Sequence, residues 1–150
     1  MVESPDSLAA RVSAEMLAKE GTGPAWDLVI EESRANYARV RMTITPEMLN
    51  GHGTAHGGMI FALADSAFAY ACNSHNSGTV GQQCSIAYLS AGKVGETLIA
   101  EAQQGPRAGR SAVTHVRVTS KSDGRLIAEF TGLGREIGGQ IVSPLEEEYD

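Results

Sequence analysis

Apolar and polar residues alternate along several stretches of this chain. In residues 37–45 (YARVRMTIT) the alternation is strict, which predicts a half-buried β-strand. Residues 26–30 alternate in the same way, and a turn over residues 31–35 would join the two strands into an antiparallel hairpin. Four later segments, separated by short turn-forming stretches, predict further strands joined as a meander: residues 79–89, 97–104, 111–119 and 126–135. The pattern therefore indicates an antiparallel sheet of about six strands.

One segment departs from this alternation. Residues 59–72 are apolar on nearly every side, which predicts a helix buried on all its faces. A sheet has to wrap around such a helix to cover it. Residues 8–17 show helical spacing of apolar positions after Ser4 and Pro5, and they predict a short amphipathic N-terminal helix. The predicted fold is α+β, with the order β-β-α-β-β-β-β around one long central helix.

Length and composition limit the class of protein. The chain has 150 residues, of which 42% are hydrophobic, and this is enough for one domain with a substantial core. We expect a single domain over residues 1–150, with an N-terminal helix and linker in residues 1–23 and an acidic, flexible tail in residues 140–150. The net charge of −6 argues against nucleic acid as a partner.

The compartment is predicted from what the sequence lacks and from its cysteines. The N-terminal residues have no apolar signal-peptide core, and no run approaches the roughly 20 uncharged residues of a membrane span. The two cysteines, Cys72 and Cys84, fall in the predicted core helix and a predicted strand, and we expect buried free thiols. We therefore predict a cytoplasmic protein without a membrane partner.

A single carboxylate, Asp65, lies near the middle of the apolar helix. Its neighbours on the same helical face include Phe61, Phe68 and Cys72, and no cation is among them. An unpaired buried charge costs several kcal/mol, so this carboxylate needs either a partner or a function. Asp65 is then either hydrogen-bonded across a packing interface or a group whose pKa is raised by desolvation, which would make it a base or a nucleophile.

Two glycines, Gly57 and Gly58, stand at the predicted start of the helix. They either form a tight turn or let a ligand approach the first-turn N–H groups, which suit the oxyanion of an acyl-transfer reaction. Gly57 precedes Asp65 by eight residues, or about 12 Å along a helix axis. The two residues of one chain cannot act on the same carbonyl carbon. A site that uses both would need two antiparallel helices in a two-fold dimer.

The loop before the helix carries three polar residues. Asn50 either holds a water or a substrate oxygen, or makes a turn before the next glycine. His52 and His56 have the four-residue spacing of a zinc-binding helix, but the residues between them lack the catalytic glutamate and belong to a glycine-rich loop. We therefore predict no metal and no cofactor, and expect His56 to shape the loop through ring hydrogen bonds.

Four cations lie in or beside the predicted turns: Lys93, Arg107, Arg110 and Lys121. They are either scattered surface charges or contacts to the phosphates of a nucleotide-bearing ligand. The chain has no nucleophile-elbow serine, phosphate-binding loop or dinucleotide fingerprint.

The residues Asn50, His56-Gly57-Gly58 and the run from Phe61 to Asp65 form a pattern that resembles the hotdog-fold acyl-CoA thioesterases. The continuation SAFAYACNS, residues 66–74, is similar to their phenylacetate-degradation (PaaI-type) branch, and the likeness extends from about residue 48 to residue 139. The resemblance implies the hotdog fold, in which a sheet wraps around one helix. It also implies homodimers paired helix to helix, often assembled into homotetramers.

The resemblance implies roles for several residues. Asp65 would be the general base or the nucleophile, Gly57 the backbone donor to the thioester carbonyl, Asn50 a group that positions water or substrate, and His56 a support for the loop. We expect the substrate to be contacted by a further set: Gly58, Phe61, Phe68, Lys93, Arg107 and Arg110.

The expected activity is hydrolysis of an acyl-CoA, of the aryl- or (hydroxy)phenylacetyl type, and the alternative is a non-catalytic module that binds acyl-CoA. Two departures from the family pattern concern CoA contact and water placement. Ser90-Ala91-Gly92 stands where relatives often have Arg-Pro before the glycine turn, so the CoA contact of that arginine is either absent or moved to Lys93. Residues 79–82 read Thr-Val-Gly-Gln where some relatives place a water-holding hydroxyl after the helix, so that hydroxyl is either missing or shifted.

Overall fold

The longest helix in the computed structural model, α3 (Gly57–Cys72), lies across one face of a single antiparallel sheet, and the structure describes residues 2–145. Two helices and two strands precede α3: α1 (Pro5–Lys19), α2 (Thr22–Trp26), β1 (Val29–Arg34) and β2 (Tyr37–Thr43), followed by a 3-10 turn at Pro46–Met48. Four strands follow it: β3 (Thr79–Tyr88), β4 (Thr97–Ala108), β5 (Ser111–Ser120) and β6 (Leu126–Glu136). The strand order is β1-β2-β4-β5-β6-β3. A sheet curved over one helix is the predicted hotdog arrangement.

The N-terminal helix forms where the sequence predicts it. The Ser4 hydroxyl accepts a hydrogen bond from the Ser7 N–H at 3.1 Å, and Pro5 occupies the first helical position, where its missing N–H costs nothing. Helix α1 then packs on β1 and α3. The Tyr70 hydroxyl of α3 donates to both carboxylate oxygens of Glu20 at 2.8 and 2.9 Å, which ties the end of α1 to the central helix.

The first predicted strand is wrong in its position. Residues 22–26 form the short helix α2, which ends where Asp27 adopts a left-handed conformation with φ of 50°. Strand β1 starts at Val29 and continues through most of the predicted turn. The chain reverses instead at Ala35 and Asn36, with φ of 65° at Asn36, a conformation that asparagine tolerates. Alternation over five residues does not distinguish a strand from one helical turn.

Two predictions about the later strands also need correction. The meander holds for β4, β5 and β6, but β3 pairs with β6 and not with β4, so it occupies an edge of the sheet. Strand β4 continues through the predicted turn at residues 105–109, with a bulge between Gln104 and Arg107. Only Gly109, with φ of 60°, and Arg110 form the turn into β5.

Helix α3 is covered on one side only, so the prediction that it is buried on all faces is wrong for the single chain. Its buried residues face the sheet: Ile60, Leu63, Ala64, Ala67, Phe68, Tyr70, Ala71 and Cys72. The other side carries a stripe of exposed or half-buried residues, which we call the open stripe: Gly58, Phe61, Ala62, Asp65 and Ala69. The adjoining edge strand β3 is exposed or half-buried along its whole length.

Phe68 anchors α3 to the two strands at this end of the sheet. Its ring lies against the backbone of three glycines, so that a Cβ atom would lie 2.8 Å from the Phe68 Cζ if built on Gly132, and 3.0 Å from its Cε1 if built on Gly81. The ring also packs on Phe130, with centroids 5.8 Å apart. Glycine is needed most at position 132, because a Cβ there would occupy the volume of the ring.

The chain's last described residues return to the loop after α3. The Asn76 side-chain oxygen accepts hydrogen bonds from the N–H groups of Ile141 at 2.8 Å and Val142 at 2.9 Å, and the Arg11 guanidinium donates to the Ser143 carbonyl at 3.3 Å. The acidic end of the predicted tail, residues 146–150, lies outside the described residues. Across residues 2–145, the helices are all too short or too polar to span a membrane.

Candidate active site

His56 caps the N-terminus of α3. Its ring Nδ1 accepts a hydrogen bond from the Gly58 N–H at 2.9 Å, and the backbone N–H of His56 donates to the Met48 carbonyl at 2.8 Å. An N-cap side chain satisfies one of the backbone donors that the first helical turn leaves unpaired. His56 therefore fixes the direction in which the chain enters the helix.

Gly57 keeps one donor free. Among residues 2–145, no hydrogen-bond acceptor pairs with its N–H. That N–H points out of the positive end of α3, beside a cavity of about 370 Å³. The cavity is lined by Asn50, Thr54, Ala55, Gly57, Ile60, Tyr88, Leu89, Ser90 and Ala91. An unpaired backbone N–H at a helix N-terminus can bind an oxygen that carries or develops negative charge.

Asn50 lines the same cavity and also shapes its loop. Its side-chain oxygen accepts from the N–H groups of His52 at 2.9 Å and Thr54 at 3.2 Å, and its amide nitrogen donates to the Thr54 hydroxyl at 3.1 Å. The turn that the sequence suggested is therefore present. Because an amide nitrogen has two hydrogens, one donor of Asn50 remains for a molecule in the cavity.

Asp65 lies on the open stripe, two helical turns from Gly57, and does not line the cavity. Within the described chain its carboxylate takes part in neither a hydrogen bond nor an ion pair, so the alternative of an intrachain packing hydrogen bond is not observed. Although the side chain reaches solvent in a single chain, the apolar atoms around it desolvate the carboxylate and raise its pKa. The sequence predicted this direction of shift.

The two cysteines near Asp65 are free thiols. Cys72 is buried in the core, and burial raises its pKa to about 12, with a smaller contribution from the charge of Asp65. Cys84 on β3 is half-buried, and burial followed by the charge of Asp65 raises its pKa as well. Both thiols are therefore held protonated and unreactive.

The predicted substrate-contacting aromatic residues have different positions. Phe68 is 1% exposed and fills the space against the glycine backbone, so it is not open to a ligand in the single chain, and its contact with substrate stays a prediction. Phe61 is half-buried on the open stripe and packs edge-to-face on Phe130, with ring centroids 5.3 Å apart. Gly58 is exposed, with its N–H bonded to His56.

The predicted phosphate-binding cations do not form one cluster. Lys93 and Lys121 line a second cavity, of about 710 Å³, next to the loop that follows β3. Arg107 and Arg110 lie at the far end of β4, about 30 Å away for a strand of this length. Arg107 forms an ion pair with Glu136, whose pKa is lowered first by the Ser77 hydroxyl and also by the two arginines.

Tyr88 is a site residue that sequence reasoning missed. Its hydroxyl donates to the Gly57 carbonyl at 2.7 Å, and its ring forms part of the cavity wall. Nothing in the local pattern of β3 marks this tyrosine, because the contact joins residues 31 positions apart. No group of three or more histidine, cysteine, aspartate or glutamate side chains in the described residues is arranged to hold a metal ion.

The fold and this site define a class of protein. Residues 52–127 match the family model described as the thioesterase superfamily, and the chain belongs to that family. The acyl-coenzyme A thioesterase PaaI of Escherichia coli is 42% identical over 105 residues, which cover 70% of this chain and 74% of the relative.

Solved structures agree with the sequence relatives. The structure of the E. coli PaaI protein from the phenylacetic acid degradation operon superposes with a TM-score of 0.88 at 35% identity, and the match covers 91% of this chain and 99% of that one. A hypothetical thioesterase from Streptococcus pneumoniae, crystallised with coenzyme A, superposes with a TM-score of 0.72 at 28% identity over 75% of this chain and 90% of that one. The predictions of the hotdog fold and of the PaaI-type branch are confirmed.

Proposed function

We propose that this protein hydrolyses an acyl-CoA thioester to a free acid and CoA, at sites that two copies of the chain share. The observation that carries the proposal is the unpaired Gly57 N–H at the positive end of α3, facing a cavity that Asn50 also lines. A thioester carbonyl oxygen in this cavity would accept the hydrogen bond. The oxygen gains negative charge as the carbonyl carbon is attacked, so the interaction is strongest in the transition state.

Asp65 would come from the second copy. It is about 12 Å along the helix from Gly57, a separation at which both groups of one chain cannot reach the same carbonyl. It lies on the open stripe, next to an edge strand with free backbone groups. A two-fold dimer that pairs these surfaces would bring the Asp65 of each copy to the Gly57 of the other. Assembly of such dimers into a homotetramer stays a prediction.

Two routes of hydrolysis are open to Asp65. As a general base it would take a proton from water, so that the water oxygen attacks the carbonyl carbon, and the C–S bond breaks to release the CoA thiolate. As a nucleophile its own oxygen would attack, and water would then cleave the resulting anhydride. Single turnover in ¹⁸O-labelled water separates the routes, because only the anhydride route can leave label in the Asp65 carboxylate.

The acyl group is proposed as aryl- or phenylacetyl-type. This rests on the relationship to the E. coli protein from the phenylacetic acid degradation operon, and Ile60, Tyr88 and Leu89 supply an apolar wall to the cavity. For the CoA phosphates we propose Lys93 and Lys121, because they line one cavity and have no ion pair within the described residues. Both free thiols and the family are in keeping with a cytoplasmic enzyme.

The test of catalysis is Asp65→Asn, measured by thiol release from a panel of aromatic and straight-chain CoA esters. We expect kcat to fall by about 100-fold or more for the best substrate, because the base or nucleophile is lost. Asp27→Asn is the matched control: it makes the same chemical change at an exposed, left-handed position that asparagine tolerates, and should leave kcat unchanged. If the wild type, Asp65→Asn and Asp27→Asn all showed the same slow turnover while CoA binding was retained, the alternative of a non-catalytic acyl-CoA-binding module would be favoured.

The test of the shared site is subunit complementation. Gly57→Pro removes the N–H donor at the first helical position, where proline fits a helix. A heterodimer of Gly57→Pro and Asp65→Asn subunits would have one intact site, so an equal mixture should recover about a quarter of wild-type activity. A mixture as inactive as its parents, despite demonstrated subunit exchange, would contradict the shared site.

A further inference from the structure

Tyr88 and Gly57 are fitted to each other across the cavity. The Tyr88 hydroxyl donates to the Gly57 carbonyl at 2.7 Å. The ring lies so close to the glycine that a Cβ atom there would be 3.0 Å from the Tyr88 Cζ and 3.1 Å from its hydroxyl oxygen. Burial raises the pKa of the phenol, which keeps its proton available for donation. The contact joins the last residue of β3 to the first residue of α3.

The glycine pair is thereby held from two sides. His56 Nδ1 accepts the Gly58 N–H at 2.9 Å, while Tyr88 donates to the Gly57 carbonyl. Two successive glycines at a helix end would otherwise be among the most mobile parts of the backbone. With these two contacts in place, the Gly57 N–H is the donor left over for a molecule in the cavity.

We propose that Tyr88 is a positioning residue. It holds the Gly57–Gly58 peptide in place, which limits rotation at the Gly57 Cα, and so keeps the adjoining His56–Gly57 peptide turned with the Gly57 N–H aimed into the cavity before substrate binds. This rests on the proposed function, in which that N–H holds the thioester oxygen. A donor that is already oriented loses no freedom when charge develops on the oxygen, so orientation contributes to the rate of the chemical step more than to substrate affinity.

The test is Tyr88→Phe, which keeps the ring as a wall of the cavity and removes the hydroxyl. We expect kcat to fall roughly threefold to tenfold, the equivalent of one hydrogen bond, with KM unchanged within about twofold. Tyr37→Phe is the matched control, because its hydroxyl also donates a hydrogen bond of 2.7 Å, to Glu101, away from the cavity. This control should keep wild-type kcat.

A second measurement does not depend on activity. The order parameter of the Gly57 amide, from ¹⁵N relaxation, should fall in Tyr88→Phe and stay at its wild-type value in Tyr37→Phe. A Tyr88→Phe protein with wild-type kcat overturns the proposal, and so does a lower kcat with an unchanged order parameter. If the wild type hydrolyses no CoA ester, the proposed function fails, and the order parameter alone then decides whether Tyr88 orients Gly57.

Discussion

The close contact between the Phe68 ring and Gly132 gives a prediction of a stability loss whose magnitude follows from the structure. In Gly132→Ala the new Cβ would lie 2.8 to 2.9 Å from three ring atoms, so the ring would have to withdraw by about 0.6 Å to reach an ordinary contact of 3.4 Å. Phe68 is 1% exposed and packs on Phe130, so there is no free space into which it can move. Overpacking of this kind costs about 1–3 kcal/mol of folding free energy.

The entropy of the unfolded chain offsets part of that cost. Alanine restricts the unfolded backbone, which returns about 0.4–1 kcal/mol where the native φ suits it, and Gly132 has no positive φ. The net loss for Gly132→Ala is then about 1–2 kcal/mol, or about 2–8 °C in Tm for a chain of this length. Gly134→Ala is the matched control on the same strand, because its Cβ would meet the Phe68 ring only at an ordinary contact distance of 3.7 Å, and its one tight contact would be with the Thr79 methyl group, at 3.2 Å.

The assay is urea unfolding followed by circular dichroism, with all proteins at the same protomer concentration. In a Phe68→Leu background the ring is absent, so Gly132→Ala should cost at least about 1 kcal/mol less than in the wild type. Equal losses for Gly132→Ala and Gly134→Ala, or an unchanged cost in the Phe68→Leu background, would refute the reasoning. Since Phe68 follows Asp65 by three residues on α3, we also expect kcat to fall as the helix is displaced.

Two further predictions concern charge and hydrogen bonding. Because the pKa of Asp65 is raised in the folded state, the folded chain keeps this proton to higher pH than the unfolded chain does. The free energy of unfolding therefore falls as pH rises between the two pKa values. Asp65→Asn should raise Tm at pH 8 and change it little at pH 3, as measured by calorimetry. Tyr70→Phe removes the hydroxyl of a fully buried side chain that donates to both Glu20 carboxylate oxygens. We expect it to lower the free energy of unfolding in urea by about 1–2 kcal/mol. A loss below about 0.3 kcal/mol would show that water replaces the hydrogen bond to Glu20.

Local signals explain which elements the sequence predicts well. The start of α3 at Gly57 follows from the capping residue and glycine pair before an apolar run, and β5 and β6 are bounded by turn formers that stop each strand within a residue or two. Helix α2 carries no such local signals. Its five residues are too few to establish a period, and its end is set by the left-handed Asp27.

Strand pairing is decided by contacts that no local pattern contains. Apolar and polar residues alternate only weakly along β3, and both faces of the strand carry polar residues. Their partner, β6, comes 38 or more residues later, beyond two intervening strands. The packing of Phe68 on glycines from both β3 and β6 helps to hold this edge of the sheet against the helix. Tyr88 was missed for the same reason, because its significance lies in a contact made across the fold.

The direction of the Asp65 pKa shift agrees with the sequence inference, although the premise behind that inference was imprecise. The sequence suggested a carboxylate buried on all sides, whereas the side chain lies on the open stripe of α3 and is desolvated only in part. Its lack of a partner within the described chain, the free Gly57 N–H and the unpaired edge of β3 are three unpaired features of the described surface. One two-fold pairing of α3 and β3 would account for all three, and it is for this reason that we propose a reaction between two chains.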